Sequence, residues 1–158
     1  MKTRRLKTLV LGLGNPILTD DGVGCQVAAA LKEKLNSPDT DIKDASVGGL
    51  NFIDLVSGYD RVIIVDAIQT GKGKPGQISR LGPEDLSGTL HSGNPHDVNL
   101  PTAIELGRKL KLGIPDTIII FAIEVEDVTA FGETCTPEVA RAIPSCVEMV
   151  IQELQKIS

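Results

Sequence analysis

Short apolar runs with strand character alternate along this chain with segments of helical period. A chain with that pattern has few options beyond helices laid on a mainly parallel sheet. Residues 6–13 form a mainly apolar run that reads as a strand buried on both faces. Residues 61–67 (RVIIVDA) are the clearest central strand, rich in β-branched side chains and turning polar at Asp66. Residues 117–125 are another strand, and 40–46 and 77–81 are weaker ones. Between them the period changes. Val23, Val27, Ala30, Leu31 and Leu35 make one stripe of a helix over 22–35. Further helices are expected over 49–57, 100–110 and 136–157. In the last, Thr136 is placed to cap, Pro137 takes the first helical position and Pro144 is expected to introduce a kink. The polar stretch 82–95 reads as loop. The whole is expected to be one domain, residues 1–158, with a three-layer α/β/α arrangement.

With aromatics at 3% and no Trp, the core must be built from aliphatic side chains. The net charge of -5 opposes a nucleic-acid role, which needs concentrated Lys and Arg. No apolar stretch reaches the roughly 20 residues of a membrane helix. The run 9–13 is broken by Gly12 and ends in Gly14-Asn15-Pro16, too short for a secretory signal core. Cys25, Cys135 and Cys146 have neither zinc-knuckle nor CxxC spacing and read as small buried hydrophobes. A reducing, cytoplasmic setting is expected.

In open α/β sheets, ligands bind beyond the carboxyl ends of the strands. Asp20 and Asp21 follow the first strand and Asp66 closes the third. They would meet if those strands are neighbours. Carboxylates facing one cleft repel, so one holds a proton or a cation sits between them. His96, in a polar loop before a helix, is a possible third donor. Two aspartates and a histidine suit a borderline divalent metal, and nickel, zinc and cadmium all qualify. Each residue also has an ordinary reading: Asp20 is expected to cap the helix that begins near Gly22, and a loop histidine such as His91 is usually solvated. No Gly-x-Ser-x-Gly elbow occurs, and Cys25 has no evident base. A hydrolase built on these residues would use a metal, not an acyl-enzyme.

Two glycine-rich likenesses fail on inspection. Gly12-Leu13-Gly14 lacks the third glycine of a dinucleotide turn, since Ile17 stands there, and the aspartates would repel a pyrophosphate. The segment Gly12 to Pro16 also resembles the opening of peptidyl-tRNA hydrolases. That family's catalytic histidine has no counterpart in Leu18-Thr19-Asp20-Asp21-Gly22, so this stays a distant alternative.

Taken together, several motifs resemble the hydrogenase maturation endopeptidases. They are the run Leu9 to Gly24; Asp44-Ala45-Ser46-Val47-Gly48-Gly49-Leu50; Val62 to Ala67; Pro95-His96-Asp97-Val98-Asn99-Leu100; and Ile123 to Glu126 followed by Thr136 to Val139. The departures are Ala45 and Val47 in the second and Asn94 ahead of His96. The resemblance implies a five-stranded mixed sheet of order 2-1-3-5-4 with strand 4 antiparallel. It carries the family's metal-contacting positions onto Asp21, Asp66 and His96, with Asp44 and the Gly48-Gly49 turn close by. The first position is often Glu in the family, and Asp21 is shorter by one methylene. It further implies an enzyme that removes a short C-terminal extension from a nickel–iron hydrogenase large-subunit precursor; a monomer is expected separately, because no large apolar helix face is left over. The substrate supplies the nickel, and zinc or cadmium can substitute in vitro. A nickel-dependent checkpoint module without peptidase chemistry would use the same ligands. Specificity is assigned to 69–99 and 126–135.

Overall fold

The structure, a computed structural model, describes residues 5–15, 19–45, 49–88, 100–126, 130–132 and 134–156. The elements in chain order are β1 (Thr8–Leu13), a 3-10 turn (Thr19–Gly22), α1 (Val23–Lys34), β2 (Thr40–Ala45) and α2 (Gly49–Val56). Then come β3 (Arg61–Ile68), β4 (Ile78–Leu81), a second 3-10 turn (Pro83–Gly88), α3 (Leu100–Lys109), β5 (Thr117–Glu124) and α4 (Pro137–Leu154). The sheet order is β2-β1-β3-β5-β4, with β4 antiparallel to β5 and the remaining pairs parallel. This is the topology the resemblance implied, and it makes β1 and β3 neighbours. The stretch expected to be loop from residue 82 contains the second 3-10 turn.

Side-chain alternation sorts the central strands into two cores. Val10, Ile63, Val65, Ile119, Phe121 and Ile123 face α1 and α4. Leu9, Leu11, Ile64, Ile68, Ile120 and Ala122 face α2 and α3. Every residue of β1 and β3 is buried, as expected for strands covered on both sides. Each fully buried aliphatic side chain contributes roughly 1.5–3 kcal/mol, so these strands carry much of the stability. α4 continues unbroken through Pro144, which lies on its exposed side.

The end of the sheet remote from the carboxyl termini of the parallel strands is fastened by Arg61. Its guanidinium donates to the carbonyls of Glu153 (3.2 Å), Leu154 (3.3 Å) and Lys156 (2.9 Å) and to Thr8 Oγ1 (3.1 Å). A cation bonded to carbonyls at and just past the end of α4 adds a donor where backbone N–H groups run out. Glu153, buried at 4% exposure, pairs with Arg80 at 2.6 Å and Lys156 at 2.9 Å.

Candidate active site

The glycines in and after β1 let backbone touch backbone. A Cβ on Gly12 would lie 2.2 Å from the Gly24 carbonyl oxygen, and one on Gly24 would lie 2.4 Å from the carbonyl oxygens of both Leu13 and Val65. Gly14, at φ +146°, faces the Asp21 carbonyl oxygen in the same way, at 2.0 Å. The 3-10 turn and the first turn of α1 therefore sit directly on the carboxyl ends of β1 and β3. Space that a dinucleotide loop would open for phosphate is filled here by the Gly24 and Asp21 backbones.

This seat brings two of the expected site residues to one region. Asp21 is 7% exposed, and its Oδ2 accepts from the Asn15 N–H at 3.1 Å. Asp66 is fully buried, and its Oδ1 accepts from the Ala67 N–H at 2.8 Å. Asp66 alternates with Ile64 and Ile68, so it opens toward the α2–α3 side of the sheet. α3, which follows the segment holding His96, packs on that same side through Ile104. His96 and His91 lie outside the described residues, as does Gly48. Among the described residues no cluster of three or more His, Cys, Asp or Glu side chains is gathered as a metal site. Asp21 and Asp66 are oxygen donors of the kind a shared divalent ion accepts, with its other ligands supplied from elsewhere.

The Cys25 thiol sits against the same strand end. It is 8% exposed and donates toward the carbonyl oxygens of Gly14 (3.5 Å) and Gly12 (4.0 Å). Burial pushes its pKa up to about 11, helped by the carboxylates of Asp44, Asp21 and Asp66 and opposed by Lys32. One sulfur thus feels acids from the end of β2, the 3-10 turn and the end of β3. Asp44 itself is half exposed and pairs with Lys32 at 3.4 Å. Cys146 is buried as expected, whereas Cys135 is only partly buried, and all three thiols are free.

Asp20 does something other than the capping expected of it. α1 begins after Gly22 with no side-chain cap. Asp20 is fully buried and accepts from the Glu126 N–H (3.0 Å) and the Thr136 N–H (2.7 Å), and the Thr136 hydroxyl lies 3.0 and 2.9 Å from its two oxygens. It ties the exit of β5 and the entry of α4 to the 3-10 turn. Thr136, the expected cap of α4, gives its hydroxyl to Asp20 and not to its own helix. The acidic residue beside a helix start was visible in the sequence; its partners, far along the chain, were not.

Beyond β3 and β5 a cavity of about 290 Å³ is lined by residues including Ile68, Thr70, Lys72, Gln77, Ser79 and Glu124. Glu124, 5% exposed, shapes it by accepting from the N–H and hydroxyl of Thr70 and from the Gly73 N–H at 3.2 Å. Sequence reasoning saw Glu124 only as part of a motif, because its role depends on a turn at the far end of β3.

The family model described as hydrogenase maturation protease matches residues 25–153. A protein of Methanocaldococcus jannaschii named for hydrogenase maturation proteolysis is 30% identical over 155 residues, covering 94% of this chain and 96% of that one. The hydrogenase 2 maturation protease of Escherichia coli K12 is 32% identical over 97 residues, 60% of this chain and 59% of the other. Among solved structures, the hydrogenase maturating endopeptidase HybD of Escherichia coli superposes with a TM-score of 0.81 at 26% identity, covering 95% and 93% of the two chains.

Proposed function

The chain belongs to the hydrogenase maturation protease family, and from that premise we propose that it is an endopeptidase acting on the precursor of a nickel–iron hydrogenase large subunit. It removes a short C-terminal extension after the precursor has taken up nickel. The nickel is part of the substrate, and Asp21, Asp66 and His96 complete its coordination, with zinc or cadmium standing in for it in vitro. Such oxygen and nitrogen donors complement the soft thiolates a hydrogenase precursor contributes. A precursor without metal offers these acids no cation and is spared. Either carboxylate can then accept the proton of an attacking water. In this role the chain acts as a single-domain monomer in the cytoplasm.

The observation that carries this reading is that Asp21, on the 3-10 turn packed against β3, and Asp66, near the carboxyl end of β3, are both buried at the same end of the neighbouring strands β1 and β3. Carboxylates buried in one poorly solvated region favour a shared cation. The test is to incubate wild type, Asp21→Asn, Asp66→Asn and His96→Ala with nickel-loaded precursor and weigh the product. Wild type is expected to shorten the precursor, and the variants, folded by circular dichroism, to leave it intact. Normal processing by the variants would end the assignment of these residues. A wild-type protein that binds the precursor without changing its mass would be the checkpoint module.

A further inference from the structure

Of the chain's phenylalanines, Phe52 and Phe121 are buried at 0% and 2% exposure, while Phe131 is 83% exposed. One exposed apolar side chain is ordinary on a protein surface and means little by itself. The backbone around this one is another matter. Asp20 binds Glu126 on one side of Phe131 and Thr136 on the other. Between them the Thr19 hydroxyl donates to the Ala130 carbonyl at 2.7 Å, and a Cβ on Gly132 would lie 3.3 Å from the same hydroxyl oxygen. The Cys135 thiol donates toward the Thr19 carbonyl at 3.7 Å. All these anchors belong to the 3-10 turn Thr19–Gly22, which also carries Asp21. An aromatic ring is thus held out to solvent by the turn that holds an acid of the candidate site.

We infer that Phe131 is a substrate-positioning residue: its ring seats in an apolar depression on the folded body of the precursor and so aligns the C-terminal extension with Asp21 and Asp66. This rests on the proposed function. A folded protein that delivers its chain end to Asp21 must also cover surface around the 3-10 turn, and Phe131 lies on the segment fastened to that turn through Thr19. Aromatic side chains supply large contact area at little entropic loss, which is why they dominate the energetics of interfaces. A residue whose neighbouring backbone is already anchored loses less freedom on binding than one on a free loop.

The test compares wild type, Phe131→Ala and Phe131→Leu on the nickel-loaded large-subunit precursor encoded in the same genome. Precursor affinity, kcat and KM are measured, together with oligomeric state. Phe131→Ala is expected to weaken affinity and raise KM about 10-fold or more with kcat within about twofold, and Phe131→Leu to recover part of the loss. Unchanged affinity and KM in Phe131→Ala, beside active wild type, would overturn the inference and leave the peptidase reading standing. So would a wild-type dimer that this substitution merely dissociates. If wild type binds but does not cut, and Phe131→Ala weakens that binding, the peptidase reading falls and the positioning role stands. Wild type that neither binds nor cuts the precursor removes both.

Discussion

Asp20 and Thr136, 116 positions apart, are joined by the Thr136 N–H at 2.7 Å and by the Thr136 hydroxyl at 3.0 and 2.9 Å from the two carboxylate oxygens. Through this contact the first turn after β1 and the start of the last helix become one unit. Asp20→Ala strands the N–H groups of Glu126 and Thr136 in a buried setting. It is expected to cost about 3 kcal/mol, since hydrogen bonds to charged groups contribute roughly 1.5–3 kcal/mol each. Urea unfolding reads the loss, and faster amide exchange at Glu126 and Thr136 locates it. Asp20→Asn, which keeps one strong acceptor, should lose less. Equal stability of Asp20→Ala and wild type would refute the clamp.

Gly24→Ala probes the seat under Asp21. The added methyl meets carbonyl oxygens on both β1 and β3 at 2.4 Å, and neither strand can yield without disturbing the sheet. The expected destabilisation is about 3 kcal/mol or more. Any variant protein that folds should process precursor poorly, because the 3-10 turn is lifted off the strand ends. A Gly24→Ala protein as stable and active as wild type would show that the turn does not rest there.

Cys25 lies among the acids yet is not expected to act as a nucleophile. With its pKa raised to about 11, the thiol is almost wholly protonated at neutral pH. In the native protein it should react slowly with iodoacetamide at pH 8 and quickly after unfolding. Cys25→Ala should keep processing activity close to wild type, whereas Asp66→Asn should not. Loss of activity in a folded Cys25→Ala protein would point to thiol chemistry.

Glu153 predicts a pH effect of definite sign. Burial pushes its pKa up, but the hydrogen bonds and charges of Arg80 and Lys156 outweigh that and leave it below the ordinary value of 4.5. A lowered pKa in the folded state stabilises the protein above pH 4.5, and the contribution is lost as pH falls through the folded value. Glu153→Gln should therefore be less stable than wild type near neutrality, by about 2 kcal/mol. The gap should close on acidification below pH 4.5, as followed by urea unfolding at several pH values. A gap independent of pH would mean that the carboxylate's charge plays no part.

Much of the architecture could be read directly because its cause is local. Arg61–Ile68 and Thr117–Glu124 are strands because β-branched residues in short runs suit a sheet covered on both faces. The stripe Val23, Val27 and Leu31 makes α1 a helix packed on that sheet. The boundaries shifted by up to three residues where hydrogen bonding at the ends decides them. Asp21 and Asp66 could be singled out because a carboxylate just past an apolar strand lies where α/β proteins bind ligands. Their expected partner His96 lies outside the described residues.

What tertiary structure alone decided are contacts between residues remote in the chain. No local pattern says that Gly24 lies against Val65, that Asp20 reaches Thr136 and leaves α1 uncapped, or that Glu124 holds Thr70 and Gly73. Nor does any pattern say which phenylalanine stays in water. An isolated sequence shows what each segment prefers to be, because backbone sterics and hydrophobic period act over a few residues. Which buried donor meets which acceptor depends on how the whole sheet closes, since a polar group taken from water must find its partner wherever packing delivers one.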